Sequence, residues 1–248
     1  MPRGTVLGGR YRLDETYATD GETAIWRGVD TELGRTVSVR LPELRWRRFA
    51  VESFRAQFRL LSTIDHPGIL RVYDVGFTPL APPYLVTEYV KGERLLRDGP
   101  LTPDRTMDLV AQAADALQVL HDRGVVYRNV DKGLSVRGDG TAVLDRFVDA
   151  RPEGAPPLWL IFTSRAALDR PATRLTDLYD LGLVAHYCLT LDRYFRAFPP
   201  DYLNDPTWPP GIPPDVRAVV EKALAIKPAE RWPTAAALAE AARRARRA

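Results

Sequence analysis

The sequence lacks several features that would place it outside a reducing compartment or inside a membrane. Its 248 residues include one cysteine, so no internal disulfide can form. No apolar run approaches the roughly 18 residues of a membrane-spanning helix. The opening residues, MPRGTVLGGRYRL, carry no apolar signal-peptide segment. We therefore expect a cytoplasmic location.

Lysine and net charge are also scarce. The chain has four lysines among 35 basic residues, and its formal charge is only +3. So small an excess gives no argument for nucleic-acid binding, and we expect none. The one basic concentration is the final EAARRARRA. It predicts either a solvated helix end or a patch that faces anionic lipid or an acidic partner.

The order of local patterns predicts an α+β chain. From about Tyr11 to Tyr89 the sequence is rich in β-branched and aromatic residues, with one amphipathic helix predicted over Arg47 to Ile64. From Leu101 onward the pattern is mainly helical. The predicted organisation is a β-rich lobe over residues 1–90 and an α-helical lobe over residues 91–248, together forming one domain.

A series of motifs then resembles the bacterial Hanks-type Ser/Thr protein kinases, especially the actinobacterial receptor type. In order they are GRYRL, IWRGVDTELGRTVSVRL, DHPGILRVYDVG, YLVTEYVKGE, LHDRGVVYRN, TDLYDLG and KPAERWPTAAALA. The match runs from about Gly9 to Ala241. It implies a bilobal protein kinase-like fold with a β-rich first lobe and a helical second lobe.

The resemblance places the glycines of the family's phosphate-binding loop on Ala18, Asp20 and Thr23. Glycines there let backbone amides approach the ATP phosphates. Side chains crowd that space, and the Asp20 carboxylate repels anionic oxygens. The family's phosphate-binding lysine is replaced by Arg40, and its glutamate partner on the neighbouring helix by Gln57.

The acids of the active site are replaced as well. The position of the catalytic base holds Asn129, whose amide is too weakly basic to accept a proton. The two positions that bind metal hold Leu134, which offers no oxygen, and Arg146, which carries a positive charge. The family's loop lysine is replaced by Asp131. The sequence therefore predicts no metal site.

The packing positions are kept. The resemblance implies a vestigial nucleotide site in which Ile25, Ser38 and Val136 would enclose adenine and the backbone from about Glu88 to Val90 would read it. It also implies a column of apolar side chains made of Leu61, Val72, Tyr127 and Phe147, and an aspartate, Asp177, that holds the backbone of the catalytic loop.

Two functions are compatible with this pattern. The main hypothesis is a pseudokinase, a regulatory or scaffolding module that is not an enzyme. The alternative is an atypical Ser/Thr kinase with residual ATP-dependent phosphotransfer, in which Asp131 and Asp145 replace the missing acids. Asp145 lies one residue before the usual position, where a strand directs it to the opposite face. No cofactor is expected beyond weak nucleotide binding that does not require Mg²⁺.

The resemblance implies protein partners, of which an active Ser/Thr kinase or a phosphothreonine-reading domain are examples. Kinases of this type often precede a membrane span. Contact with a membrane is therefore expected only through the basic tail or through sequence beyond residue 248 in a longer parent protein.

Overall fold

The computed structural model describes residues 1–19, 23–42, 47–78, 81–90, 100–147, 150–155, 173–191 and 208–246. The chain divides into two compact units, Met1–Lys91 and Gly92–Ala248. This division lies one residue beyond the boundary that the sequence predicted.

The first unit is built on a six-stranded sheet with the order β1-β2-β3-β4-β6-β5. Its strands are β1 (Val6–Leu7), β2 (Tyr11–Thr19), β3 (Thr23–Asp30), β4 (Arg35–Pro42), β5 (Val72–Thr78) and β6 (Ala81–Glu88). All neighbours pair antiparallel. Helix α1 (Arg47–Leu61) contacts β5 and β6, close to where its apolar spacing predicted it.

One face of this sheet carries the core of the first unit. Alternate residues of a strand point to the same face, and Val37, Val39 and Leu41 of β4 are accordingly buried together. The remaining members of this cluster are Leu7, Tyr11, Leu13, Tyr84 and Val86. The intervening residues of β4, Ser38 and Arg40, point to the other face.

The turn between β3 and β4 is closed by a buried carboxylate. Asp30 accepts hydrogen bonds from the Arg10 side chain at 2.7 and 2.8 Å, from Arg35 Nε at 3.3 Å and from the amide of Leu33 at 3.3 Å. The bond from Arg10 is the main cause that lowers the pKa of Asp30 to about 2. This network holds the GVDTELG turn in one conformation.

The second unit is mainly helical. Its longest helices are α2 (Pro103–His121) and α4 (Arg174–Thr190), followed by α5 (Pro214–Ala223) and α6 (Ala235–Ala245). Thr102 and Thr234 begin α2 and α6 by accepting amide hydrogen bonds with their hydroxyls, at 3.2 and 3.1 Å. Such caps satisfy amides that the first helical turn leaves unpaired.

Short elements between α2 and α4 form the catalytic segment. They are β7 (Val125–Val126), α3 (Val130–Gly133), β8 (Leu134–Val136), β9 (Ala142–Leu144) and β10 (Arg151–Pro152). Strand β8 pairs with β9, and β7 pairs with β10. A sheet-based first unit and a helical second unit confirm the predicted α+β, bilobal protein kinase-like fold.

Arginines at the basic end of the chain form ion pairs with carboxylates of α2 and of α6. Arg243 and Arg246 form ion pairs with Asp115 and Asp108 of α2, and Arg244 pairs with Glu240 within α6. All three pairs are at least partly exposed to solvent. Across the described residues, none of the helices has the length and apolarity that crossing a membrane requires.

Candidate active site

The predicted phosphate-loop positions lie at the end of the β2–β3 hairpin. Ala18 of β2 is opposite Ile25 of β3, and Thr23 is buried opposite Pro42 of β4. The Thr19 hydroxyl donates to the carbonyl of Thr23 at 3.1 Å. Asp20 lies outside the described residues.

Ser38 and Arg40 occupy the non-core face of β4. Arg40 is opposite Ile25 on one side and Leu85 on the other, and both Ser38 and Arg40 are buried. The predicted partner of Arg40, Gln57, is also buried, and its side-chain amide donates to Ser53 Oγ at 3.0 Å within α1. At least one donor of Gln57 is therefore satisfied inside its own helix.

The end of β6 contains the backbone predicted to read adenine. The Glu88 amide donates to the Arg71 carbonyl at 2.9 Å, and the Glu88 carboxylate accepts from the Arg71 amide at 2.8 Å. The Thr87 hydroxyl donates to the Glu88 carbonyl at 3.1 Å. Val90 is buried. These bonds fix the strand end in position.

The catalytic loop of the second unit is held by Asp177, as predicted. Its fully buried carboxylate accepts hydrogen bonds from the amides of Tyr127 and Arg128 at 2.8 and 2.7 Å. It also contacts His121 Nε2 at 2.8 Å, so the histidine that ends α2 belongs to the same network. Arg128 has a φ of +65°, an unfavourable conformation for a residue with a side chain.

Tyr127 connects the loop to the strand that precedes Phe147. Its hydroxyl donates to the Gly133 carbonyl at 2.7 Å and accepts from the Arg146 amide at 3.0 Å. The rings of Tyr127 and Phe147 meet edge to face, with centroids 5.0 Å apart. Tyr127 and Phe147, the two members of the predicted apolar column in the second unit, therefore contact each other. Leu61 and Val72 are buried in the first unit.

The three substituted catalytic and metal-binding positions all belong to the second unit. Asn129 is almost fully buried, and among the described residues its side-chain oxygen accepts no hydrogen bond. Leu134 begins β8 opposite Leu144, with Val136 further along the same strand, and both Leu134 and Val136 are buried. Arg146 is half-buried.

Asp131 lies in the same loop, two residues after Asn129. Its Oδ1 is buried, and no described residue donates a hydrogen bond to it. Burial raises the pKa of Asp131. The Lys132 charge, the backbone amides of Asp131 and Lys132 and, least of all, the Arg146 charge act in the opposite direction.

Asp145 follows β9, and both its side chain and its amide form hydrogen bonds. Its Oδ2 accepts a hydrogen bond from the Ser135 hydroxyl at 2.7 Å. Its amide donates to the Gly133 carbonyl at 2.9 Å. Asp145 is therefore part of the polar contacts that join β8 to β9.

Sequence reasoning missed two residues near these positions. Asp180, one turn after Asp177 on α4, is almost fully buried, and its Oδ2 accepts no hydrogen bond from the described part of the chain. Burial, then Asp131 and Asp177, raise its pKa well above the usual value. A carboxylate within the otherwise apolar LYDLGL was the available signal. The second residue, Tyr17, bonds to Ser38 at 2.8 Å.

Within the part of the chain that the structure describes, the residues at these positions do not fit the Mg²⁺ ions that kinases use. A hard cation requires several oxygen ligands. Across the described ranges, no group of three or more His, Cys, Asp or Glu side chains converges in a geometry that could hold a metal ion. Leu134 and Arg146 account for this at the two family positions.

The comparisons with known proteins agree with this fold. Residues 18–132 match the family model described as protein tyrosine and serine/threonine kinase. The chain is 31% identical over 265 aligned positions to serine/threonine-protein kinase PknA of Mycobacterium tuberculosis, covering 96% of this chain and 62% of PknA. It is 30% identical to PknB of the same species, covering 95% of this chain and 43% of PknB.

A third relative lies outside the mycobacteria. Serine/threonine-protein kinase pkn2 of Myxococcus xanthus is 29% identical over 76% of this chain and 25% of its own length. The chain therefore spans 62% or less of these relatives. Together with the fold, these matches show that the chain belongs to the bacterial Hanks-type serine/threonine protein kinase family.

These findings correct one expectation from the sequence. The chain was expected not to be an enzyme, and this is wrong: it contains a matched kinase domain and its relatives are named serine/threonine protein kinases, which point to an enzyme. The expectation rested on the substituted family positions, above all Asn129, Leu134 and Arg146. It gave less weight to the alternative in which Asp131, which replaces the family's loop lysine, serves as an acid of the same loop.

Proposed function

We propose that this domain is an atypical Ser/Thr protein kinase that transfers phosphate from ATP at a low rate, with Asp131 as the proton acceptor. The observation that carries the proposal is the Asp131 carboxylate. It lies in the catalytic loop that Asp177 holds, and one of its oxygens is buried without accepting a hydrogen bond from any described residue.

A base must be able to take the proton of a substrate hydroxyl. Burial raises the pKa of Asp131, which makes its ionised form a stronger base than an exposed aspartate. Asn129, two residues earlier, cannot take a proton at all. The Lys132 charge and, to a smaller extent, the Arg146 charge favour the ionised form and oppose the effect of burial.

Charge neutralisation is the other requirement, since phosphoryl transfer depends mainly on positioning and electrostatics. Arg146 supplies a fixed positive charge where the family has a carboxylate that binds metal. Arg40 retains a positive charge at the position of the phosphate-binding lysine, although its planar guanidinium differs from a point-like ammonium. No step of this proposal uses a metal ion.

Asp145 has a lesser part in the proposal. The sequence placed it as a second displaced acid, and its bond to Ser135 supports a role in fixing β8 against β9. We assign it the positioning of the loop and not proton transfer. Its removal is expected to reduce stability as well as activity.

The test is the transfer of radiolabelled phosphate from ATP to the protein itself and to Ser/Thr model peptides, with and without Mg²⁺. Asp131→Asn keeps the shape of the side chain and removes its basicity, so it should lower the rate by a factor of about 10² or more. Asp104→Asn, on α2, is the matched control and should leave the rate unchanged. Transfer that is undetectable in the parent, or equal in parent and Asp131→Asn, would contradict the proposal.

The activity of the whole protein, its substrates and its partners are proposals in the same sense, because the chain covers only part of its relatives. We propose that an active Ser/Thr kinase or a phosphothreonine-reading domain is among its partners. Pull-down with the domain, followed by identification of bound proteins and of phosphorylated sites on them, tests this. Recovery of neither class would contradict it.

A further inference from the structure

Tyr17 occupies an irregular position in the first unit. Thr16 of β2 is opposite Trp26 of β3, and Ala18 is opposite Ile25, the next residue of β3. Tyr17 is therefore the extra residue of a β-bulge. Bulges redirect a side chain and bend the strand locally, and here the side chain reaches past β3 to β4.

Two contacts with described residues hold the Tyr17 side chain. Its hydroxyl lies 2.8 Å from Ser38 Oγ, a hydrogen bond in which either group can donate. Its ring meets the Tyr89 ring edge to face, with centroids 5.4 Å apart and an interplanar angle of 82°. Ser38 is only 3% exposed, whereas Tyr17 is 43% exposed. Tyr17 thus covers Ser38 while keeping part of its own ring in solvent.

Ser38 belongs to the face on which the proposed nucleotide site depends. Arg40 is on the same face of β4, and Ile25 is its direct neighbour on β3. Tyr89 follows Glu88 at the end of β6, where the backbone would read the base. The Tyr17–Ser38 hydrogen bond therefore joins two strands across the surface that a purine would need.

We propose that Tyr17 is a latch on this surface: a purine nucleotide binds only after the Tyr17–Ser38 hydrogen bond opens and the tyrosine ring swings away from β4. The inference rests on the proposed function, because it assumes that a nucleotide uses this face. Tyr17 and Ser38 then set the affinity for the nucleotide, since the bond must be broken whenever the ligand binds.

Breaking the Tyr17–Ser38 hydrogen bond costs free energy, so removing either partner should strengthen nucleotide binding. Tyr17→Phe removes the hydroxyl and keeps the ring, and Ser38→Ala removes the other partner. Either change should tighten nucleotide binding by about 3- to 10-fold, which corresponds to the net stability of one hydrogen bond. Because both act through one bond, the double variant should bind no more tightly than either single variant.

The experiment is a fluorescence-anisotropy titration of the parent and the variants with ADP carrying a fluorescent ribose label. Tyr73→Phe is the matched control, since Tyr73 packs against the core on the opposite face of the sheet. It should leave the dissociation constant unchanged. A urea melt of each variant confirms that it is folded before the titration.

Unchanged or weaker binding in both single variants would overturn the latch, as would tightening that adds in the double variant. If the parent fails to bind and Tyr17→Phe binds, the latch is supported and ATP use by the parent is not. If no variant binds at millimolar nucleotide, both ideas are wrong. Unchanged affinity together with Asp131-dependent phosphate transfer would contradict the latch alone.

Discussion

The carboxylate of Asp177 accepts a hydrogen bond from the amide of Arg128 at 2.7 Å, and Arg128 has a φ of +65°. A non-glycine residue in this region costs on the order of 1–3 kcal/mol and persists only where its surroundings enforce it. Asp177 supplies that enforcement from α4. The catalytic loop thus keeps a conformation that the local sequence alone would not favour.

Removing this anchor should destabilise the second unit strongly. Asp177→Ala leaves the buried amides of Tyr127 and Arg128 and the ring of His121 without their acceptor, so we expect a loss of about 3 kcal/mol or more. Asp177→Asn retains one acceptor oxygen and should lose less. Urea denaturation followed by circular dichroism measures both. Equal midpoints for the parent and Asp177→Ala would refute the anchoring role.

The contact between Phe147 and Tyr127 should also carry considerable stability. Phe147 is 2% exposed, and Phe147→Ala should lower the free energy of unfolding by roughly 3–5 kcal/mol because it leaves a cavity. Phe147→Leu fills most of that space and serves as the control. A variant Phe147→Ala that unfolds at the parent's urea concentration would show that this ring does not belong to the predicted apolar column.

Asp180 predicts a pH dependence of stability. Burial is the main cause that raises its pKa, the carboxylates of Asp131 and Asp177 add to it, and Arg231 opposes it. An unfolded aspartate loses its proton near pH 3.9, whereas the folded protein retains the proton on Asp180 to higher pH. Unfolding above about pH 4 therefore releases a proton, so the contribution of Asp180 to stability falls as the pH rises.

The check is a series of urea melts from pH 4 to pH 8 on the parent and on Asp180→Asn. The stability of the parent relative to this variant should be greatest at the acidic end and should decline with increasing pH. Asp104→Asn is the exposed control and should follow the parent. A stability difference that grows with pH would reverse the sign and show that the folded state holds Asp180 ionised.

Restoring the family's acids should create a dependence on Mg²⁺. The parent is expected to bind ATP with the same thermal shift with and without Mg²⁺, because Leu134 and Arg146 stand at the metal positions. The triple variant Asn129→Asp, Leu134→Asn, Arg146→Asp should show a larger shift with Mg²⁺-ATP, since ligand binding to the native state raises its apparent stability. Without Mg²⁺ it should melt below the parent, because new carboxylates are buried beside Asp131.

A single-site variant separates the gain in Mg²⁺-dependent binding from the loss of stability caused by the new carboxylates. Leu134→Asn alone adds no charge and should change neither the melting temperature in ATP nor its dependence on Mg²⁺ by as much as the triple variant. A shift of several degrees that appears only with Mg²⁺ in the parent would show that its own acids bind the metal. The expectation of weak nucleotide binding independent of Mg²⁺ would then be wrong.

Local patterns predicted most of the fold. The strand bias from Tyr11 onward and the helix that contains Gln57 follow from side-chain chemistry over a few residues. The order of motifs supplied the fold class, because each motif marks an element of one known architecture. Asp177 was recognised in the same way, and its contacts with Tyr127 and Arg128 confirm its role.

What the sequence by itself determined is the frame: which segments are strands and helices, which family they form, and which family positions hold Asn129, Leu134 and Arg146. Tertiary structure alone decided which of the remaining polar groups meet. The bulge at Tyr17 aims a hydroxyl at Ser38, which is 21 residues away. Burial on α4 brings Asp180 under the influence of Asp131, 49 residues earlier. Periodicity describes faces within one element, whereas hydrogen bonding and burial depend on the distances between elements, and these arise only when the chain folds.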